Sequence, residues 1–164
     1  MKILIVYDSV FGNTERTARS IGDAMAAHAK DPGENVVMLR PAEVRLEHLA
    51  DLRLFVVGSP TRAFQPTPAI RQFLGGIPKN GLRDVRVAAF DTRISANDIK
   101  SYVGRLFVKG FGYAAGKIMR RLRKKFGDPV AEAEGFFVEG TKGPLKDGEL
   151  ERAADWARRI LRDT

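Results

Sequence analysis

The chain contains no cysteine, which removes disulfides, thiolate metal sites and thiol nucleophiles together. It has two histidines, His28 and His48. Neither sits at metal-ligand spacing from another ligating residue, and both fall in helical, solvent-rich contexts that read as surface. The one tryptophan, Trp156, stands among arginines in the last helical stretch, where a packing role is expected. No apolar run is long enough to span a bilayer. The run that follows Lys2 stops at Asp8, too short for a signal peptide, so a cytoplasmic protein is the expectation. At 164 residues with 44% hydrophobic content, a single domain covering residues 1–164 with one useful core is expected. Acidic residues are in deficit, 20 against 28 Lys and Arg, for a net charge of +8.

Two nucleotide-binding signatures are also missing. No glycine-rich loop ends in Gly-Lys-Ser or Gly-Lys-Thr, which excludes a Walker-type phosphate loop. No Gly-x-Gly-x-x-Gly follows the first apolar run, which argues against a dinucleotide fingerprint. What stands there instead is Leu4-Ile5-Val6-Tyr7 followed by Asp8-Ser9-Val10-Phe11-Gly12-Asn13-Thr14. The first part reads as a buried parallel strand. The second is a short polar turn, and from Thr14 the apolar positions Ala18, Ile21 and Met25 recur at helical spacing. A strand-to-helix turn of this kind gathers backbone N–H groups at the positive end of a helix dipole, which suits a phosphate. Asn13 and Thr14 also have the chemistry of helix caps, and capping and phosphate binding use the same groups.

The rest of the chain repeats the alternation. The first helix is expected to run to about Ala29 and to be broken by Asp31-Pro32-Gly33. Strands are expected at Asn35 to Leu39, Leu52 to Val57, Val85 to Phe90 and Glu134 to Val138. A minor helix is expected near Glu47 to Leu49. Longer ones are expected from Pro66 to about Leu74, from Asn97 to Phe107, from Tyr113 to Phe126, and from Leu150 to Leu161. Continuous apolar strands interleaved with amphipathic helices imply an α/β protein with a three-layer, doubly wound, five-stranded parallel sheet. The commonest order for five strands is 2-1-3-4-5, with its crevice at the carboxyl ends of strands one, three and four. Three polar turns fall there: Asp8 to Thr14, Ser59 to Phe64, and Asp91 to Ser95.

Together these turns resemble the flavodoxin superfamily, over essentially the whole chain, with a flavodoxin-like fold implied. Ser9-Val10-Phe11-Gly12-Asn13-Thr14 looks like that family's FMN phosphate loop, which uses hydroxyls and backbone amides rather than a lysine. Gly58-Ser59-Pro60-Thr61-Arg62 is similar to the second loop of the flavodoxin-like quinone reductases, which passes along the flavin ring. Asp91-Thr92-Arg93 stands where the family's third loop brings donors to the pyrimidine edge. The resemblance therefore implies FMN as cofactor. Ser9 to Thr14 would hold its phosphate. Ser59, Pro60, Thr61, Arg62, Ala63 and Phe64, with Asp91, Thr92 and Arg93, would hold its ring system. No catalytic acid–base pair and no metal is implied, because the cofactor carries the chemistry.

Two departures mark this sequence. Members of the family often sandwich the flavin between aromatics of the second and third loops. Here Phe64 could serve on one side, while Tyr102 is the first tyrosine after Asp91. The other flavin face is left open, covered by Arg93, or closed by a second subunit. Flavodoxins are also usually acidic. A cation such as Arg62 or Arg93 near the N1–C2 carbonyl edge would stabilise the anionic reduced flavin. Asp91 either hydrogen-bonds the cofactor or caps the following turn, and Asp8 reads as a turn residue.

The positive charge has an address. Residues 99–127 hold nine basic side chains and no acidic one, which leaves the remainder close to neutral. The segment is a solvated helix face, or a docking surface for an acidic redox partner whose approach it would steer, or a surface for nucleic acid or anionic lipid. It lacks the interleaved aromatics and recognised modules of a nucleic-acid binder. The implied function is electron transfer between redox partners. One alternative is an NAD(P)H:quinone or flavin reductase using bound FMN, and another is a binding module that keeps the fold without the flavin.

Overall fold

The computed structural model describes residues 2–28 and 35–162. The break expected at Asp31-Pro32-Gly33, and the expected end of the first helix at Ala29, lie outside the described residues. The sheet is built from β1 (Lys2–Tyr7), β2 (Asn35–Leu39), β3 (Leu52–Pro60), β4 (Arg86–Ile94), β5 (Asp128–Pro129) and β6 (Glu134–Val138). The helices are α1 (Asn13–Ala27), α2 (Leu46–Leu49), α3 (Pro68–Gly76), α4 (Tyr102–Phe111), α5 (Ala114–Lys124) and α6 (Glu149–Arg162), with 3₁₀ turns at Pro41–Glu43 and Ala96–Asp98.

Every strand pairing is parallel, in the order β2-β1-β3-β4-β5, with β6 also on β4. The expected order 2-1-3-4-5 is therefore the observed one. Its fifth position is filled by two strands in succession. Arg86 and Val87 of β4 pair with β5, and Phe90 to Ile94 pair with β6. Asp128 and Val130 N–H donate to the Val85 and Val87 carbonyls on either side of Pro129, whose missing N–H falls on the side away from β4, and the chain leaves the sheet between the two strands.

Alternation along the strands divides the core in two. Ile3, Ile5 and Tyr7 join Leu54, Val56 and Phe90 under α1 and α6. Leu4 and Val6 join Phe55, Val57 and Val87 under α3 and α5. Past Arg53 and Arg86 near their starts, the central strands β3 and β4 are buried on both faces, as β1 is, which is why they read as nearly continuous apolar runs. Trp156 is buried and packs edge-on to Phe90 and Phe136, with each pair of ring centroids 6.2 Å apart.

The elements after β3 and β4 differ from expectation in ways that shape the crevice. Both strands continue past their apolar runs, because Ser59 pairs with Asp91, and Asp91 also pairs with Gly135 of β6. Their polar ends are thus rigid sheet rather than free loop. Helix α3 begins at Pro68 rather than Pro66, since Thr67 takes the N-cap and accepts a hydrogen bond from Ile70 N–H. The helix expected from Asn97 starts at Tyr102, where Ser101 caps it through Gly104 N–H. It ends at Gly112, whose φ of +66° breaks it from α5. Among the described residues, no helix is long and apolar enough to cross a membrane.

Candidate functional site

Tyr7 ends β1 in the middle of the sheet, and the chain must turn sharply into α1. Gly12 makes the turn with φ +87°, a conformation glycine adopts without steric cost. Ser9 Oγ accepts from Gly12 N–H at 3.1 Å, and Asp8 Oδ1 accepts from Ser9 N–H at 2.9 Å. Asp8 is thus a turn residue. Arg40, just past β2, donates to Asp8, to the Ser9 carbonyl and to Glu15, and its guanidinium stacks 4.7 Å from the Tyr7 ring. No side chain caps the start of α1. Its first amides therefore keep the unclaimed donors and positive dipole end that attract an anion.

The second turn leaves β3 at Pro60. Thr61 N–H donates to the Thr92 carbonyl at 2.9 Å, which fixes it to β4. Arg62 and Gln65 exchange two backbone hydrogen bonds around Ala63 and Phe64, both at positive φ. This tight reversal turns Arg62 and Ala63 to the crevice, with the Arg62 guanidinium 5.5 Å from the centroid of the Phe11 ring. Phe64 is half-buried and outside the crevice lining, and its carbonyl accepts from Lys117 Nζ. Ser59 also turns inward. It is fully buried, and its hydroxyl accepts from Thr67 N–H.

The third turn is anchored from inside. Asp91 is completely buried. Its carboxylate takes two hydrogen bonds from Arg93, at 2.5 and 2.9 Å, and a third from Ala115 N–H at 2.7 Å. The choice between capping and cofactor contact thus has a geometric answer for its side chain, which serves the first turn of α5 and the guanidinium. Burial pushes this carboxyl above its ordinary value, with Arg93, Ala115 N–H and Thr61 pulling the other way. Arg93 lies flat against Tyr113, 3.9 Å from the ring centroid, and over Gly135, where a Cβ would collide with it at 2.2 Å.

The three turns enclose a cavity of about 260 Å³ at the carboxyl edge of the sheet. Val10, Phe11, Asn13 and Thr14 come from the first turn, Pro60 to Ala63 from the second, and Thr92 and Arg93 from the third. Ser9, Gly12, Ser59, Phe64 and Asp91 stand behind this lining. Ile94 extends the third turn, within its expected span to Ser95, and the sequence reading did not anticipate a fourth wall, made by Val138, Gly140 and Thr141. Asn13 Nδ2 donates to the Lys142 carbonyl at 3.1 Å, and Gly143, at φ +97°, leaves room for that amide where a Cβ would come within 2.4 Å. The glycines of the loop after β6 were the only local signal for this contact.

An open parallel sheet in this order, with polar turns converging outside its carboxyl ends, defines a doubly wound α/β protein with a ligand crevice at the switch point. No protein-family model matches the chain, and no curated protein does. Solved structures do. A flavodoxin from the domain Archaea superposes with a TM-score of 0.75 at 20% identity, covering 99% of this chain and 97% of that one. Oxidised flavodoxin 2 from Bacillus cereus gives 0.75 at 21% identity with both chains fully covered. Rubredoxin oxygen:oxidoreductase from Desulfovibrio gigas gives 0.72 at 20% identity, matching 98% of this chain and 35% of the larger protein. The chain has the flavodoxin fold.

Proposed function

We propose that the crevice binds FMN and that the protein transfers electrons between redox partners. The observation that carries this reading is the uncapped start of α1, set in a crevice that two further turns wall in. The residues present fit the group. An unclaimed helix start, the Asn13 amide and the Thr14 hydroxyl suit a phosphate dianion without a lysine. Phe11, Pro60, Ala63 and Ile94 offer apolar surface for a flat ring, and Thr61, Arg62, Thr92 and Arg93 offer polar edges.

When bound, the flavin would supply the reversible uptake of electrons. The chain's own residues bind, orient and tune. Arg40 stiffens the first turn from behind through Asp8 and Glu15. Arg93 is held by Asp91 and Tyr113 and presents a guanidinium of fixed position, its charge opposed by the buried carboxylate. Arg62 has no such counterion among the described residues and is the crevice cation with charge to spare.

Titration of the purified protein with FMN tests the reading. Two visible flavin bands retained after gel filtration, with quenched flavin fluorescence, are the expected result. A protein that stays colourless overturns it. Steady-state oxidation of NAD(P)H with a quinone, by the FMN-loaded protein alone, separates a reductase from the carrier proposed.

A further inference from the structure

A second concavity lies on the opposite side of the second turn. It has a volume of about 570 Å³ and runs between the end of α3 and the outer face of α5. Gly75 lies at its base, above Leu74, whose side chain is 1% exposed and belongs to the core. The rim is Lys117, Arg120, Arg121, Lys124 and Lys125. At 100° per residue, Lys117, Arg120, Arg121 and Lys124 fall within an arc of about 100° on α5, with Lys125 at its C-cap, while Ile118, Met119 and Leu122 face the core. The hollow exists because α3 ends in Gly75-Gly76, and a Cβ built on either glycine meets no atom within 4 Å.

The charge here is uncompensated. None of the five cations has a carboxylate partner among the described residues. Lys117 and Lys125 instead reach across the hollow to main-chain carbonyls, Lys117 to Phe64 and Lys125 to Ile77. Those two ammonium groups are therefore held in place. Desolvation first, and the neighbouring Arg120 second, hold the Lys117 amine below its ordinary value. Gln65 lines the same hollow, two residues from Ala63 in the crevice wall. One short turn thus separates the two concavities.

We infer that this groove is the docking site for an acidic segment of a partner protein, with its carboxylates on the α5 rim and one side of it lying over Gly75. That the partner exchanges electrons rests on the function proposed above; the docking itself does not. The shape selects a protein segment over a bilayer. A lipid surface is flat, the site is concave, and the apolar face of α5 is spent on the core. No aromatic side chain lines the groove for a base to stack on, which favours a carboxylate-bearing segment over a single-stranded nucleic acid.

The test is fluorescence anisotropy of a short labelled glutamate-rich peptide, titrated with the full chain. Arg120→Glu/Lys124→Glu is expected to weaken binding on the order of tenfold or more, with a flattened salt dependence. Gly75→Leu, which fills the hollow without altering charge, is expected to weaken it severalfold. Arg105→Glu/Lys109→Glu on α4 makes the same change in net charge elsewhere and is expected to leave affinity within about twofold. An equal loss in the α4 pair would overturn the proposal, since attraction would then follow net charge alone. So would indifference to Gly75→Leu. Tighter binding of a DNA duplex or of phosphatidylserine vesicles, abolished by the same α5 pair, would assign the surface to that ligand instead. The readout does not use the flavin, so a colourless protein would leave this result standing.

Discussion

The hydroxyls of Thr14 and Thr92 lie 2.8 Å apart, both buried, and join the start of α1 to the end of β4. This contact locks the first and third walls of the crevice together across 78 residues of sequence. Replacing one threonine by valine leaves the other hydroxyl buried without its partner, at a cost of about 1–3 kcal/mol. Thr14→Val/Thr92→Val removes both groups and is expected to restore much of the loss. Urea denaturation of the two single variants and the double one closes the cycle, and additive losses would show the hydroxyls to be independent.

Asp91 governs both stability and its pH dependence. Asp91→Ala would leave Arg93 without its counterion, for an expected loss of about 3–5 kcal/mol. The sign of the pH effect is the reverse of the usual carboxylate. With the folded pKa raised above the unfolded one, the native state holds the proton longer. This group's contribution is therefore greatest below the unfolded value and declines as pH rises through the folded value. Denaturation followed upward from about pH 4 should show a downward slope that Asp91→Asn removes. An unchanged slope in that variant would place the titration elsewhere.

Arg62 and Arg93 are expected to differ in what they do to a bound flavin. Arg62→Ala removes a cation with no carboxylate beside it and should lower the reduction potential by tens of millivolts, on the order expected for one partly solvated charge. Arg93→Lys keeps the charge but loses the fork that Asp91 and Tyr113 hold. Its effect should appear more in stability than in potential. Spectroelectrochemical titration of the FMN-loaded variants reads the difference, and an unshifted potential in Arg62→Ala would remove that residue from the tuning role.

Gly143→Ala should damage the fourth wall. The new Cβ would stand 2.4 Å from Asn13 Nδ2 on a backbone at φ +97°, and strain of this kind costs about 1–3 kcal/mol. FMN affinity should fall with stability, because Asn13 sits in the crevice lining. Calorimetric titration checks the first and thermal unfolding the second.

The architecture was legible in the sequence where burial is two-sided. The run Ile3 to Tyr7 is apolar throughout, Leu52 to Val57 and Val85 to Phe90 are interrupted only by Arg53 and Arg86 near their starts, and the sheet order followed. The ends of β3 and β4 were not legible, because Ser59 and Asp91 look like turn residues until their ladder partners are known. In the crevice, the first turn was readable as a local strand–turn–helix pattern. Arg40 and the Gly140–Gly143 loop were not, since each reaches the first turn from another part of the chain. Phe64 shows the limit from the other side. Its type and position invited a stacking role, but the positive φ at Ala63 and Phe64 turns Arg62 and Ala63 into the crevice instead.

Helix α5 begins on hydrogen bonds from the crevice. Ala114 N–H donates to Thr61 Oγ1 and Ala115 N–H to Asp91 Oδ2. One helix therefore has its first turn held by the second and third crevice turns and its outer face on the basic groove. Linkage makes this symmetrical: the factor by which an occupied crevice alters affinity at the groove equals the factor by which an occupied groove alters affinity at the crevice. If the crevice holds FMN and the groove a carboxylate-bearing partner, as proposed, the two would bear on one helix, the first through Thr61 and Asp91 and the second directly, without touching each other.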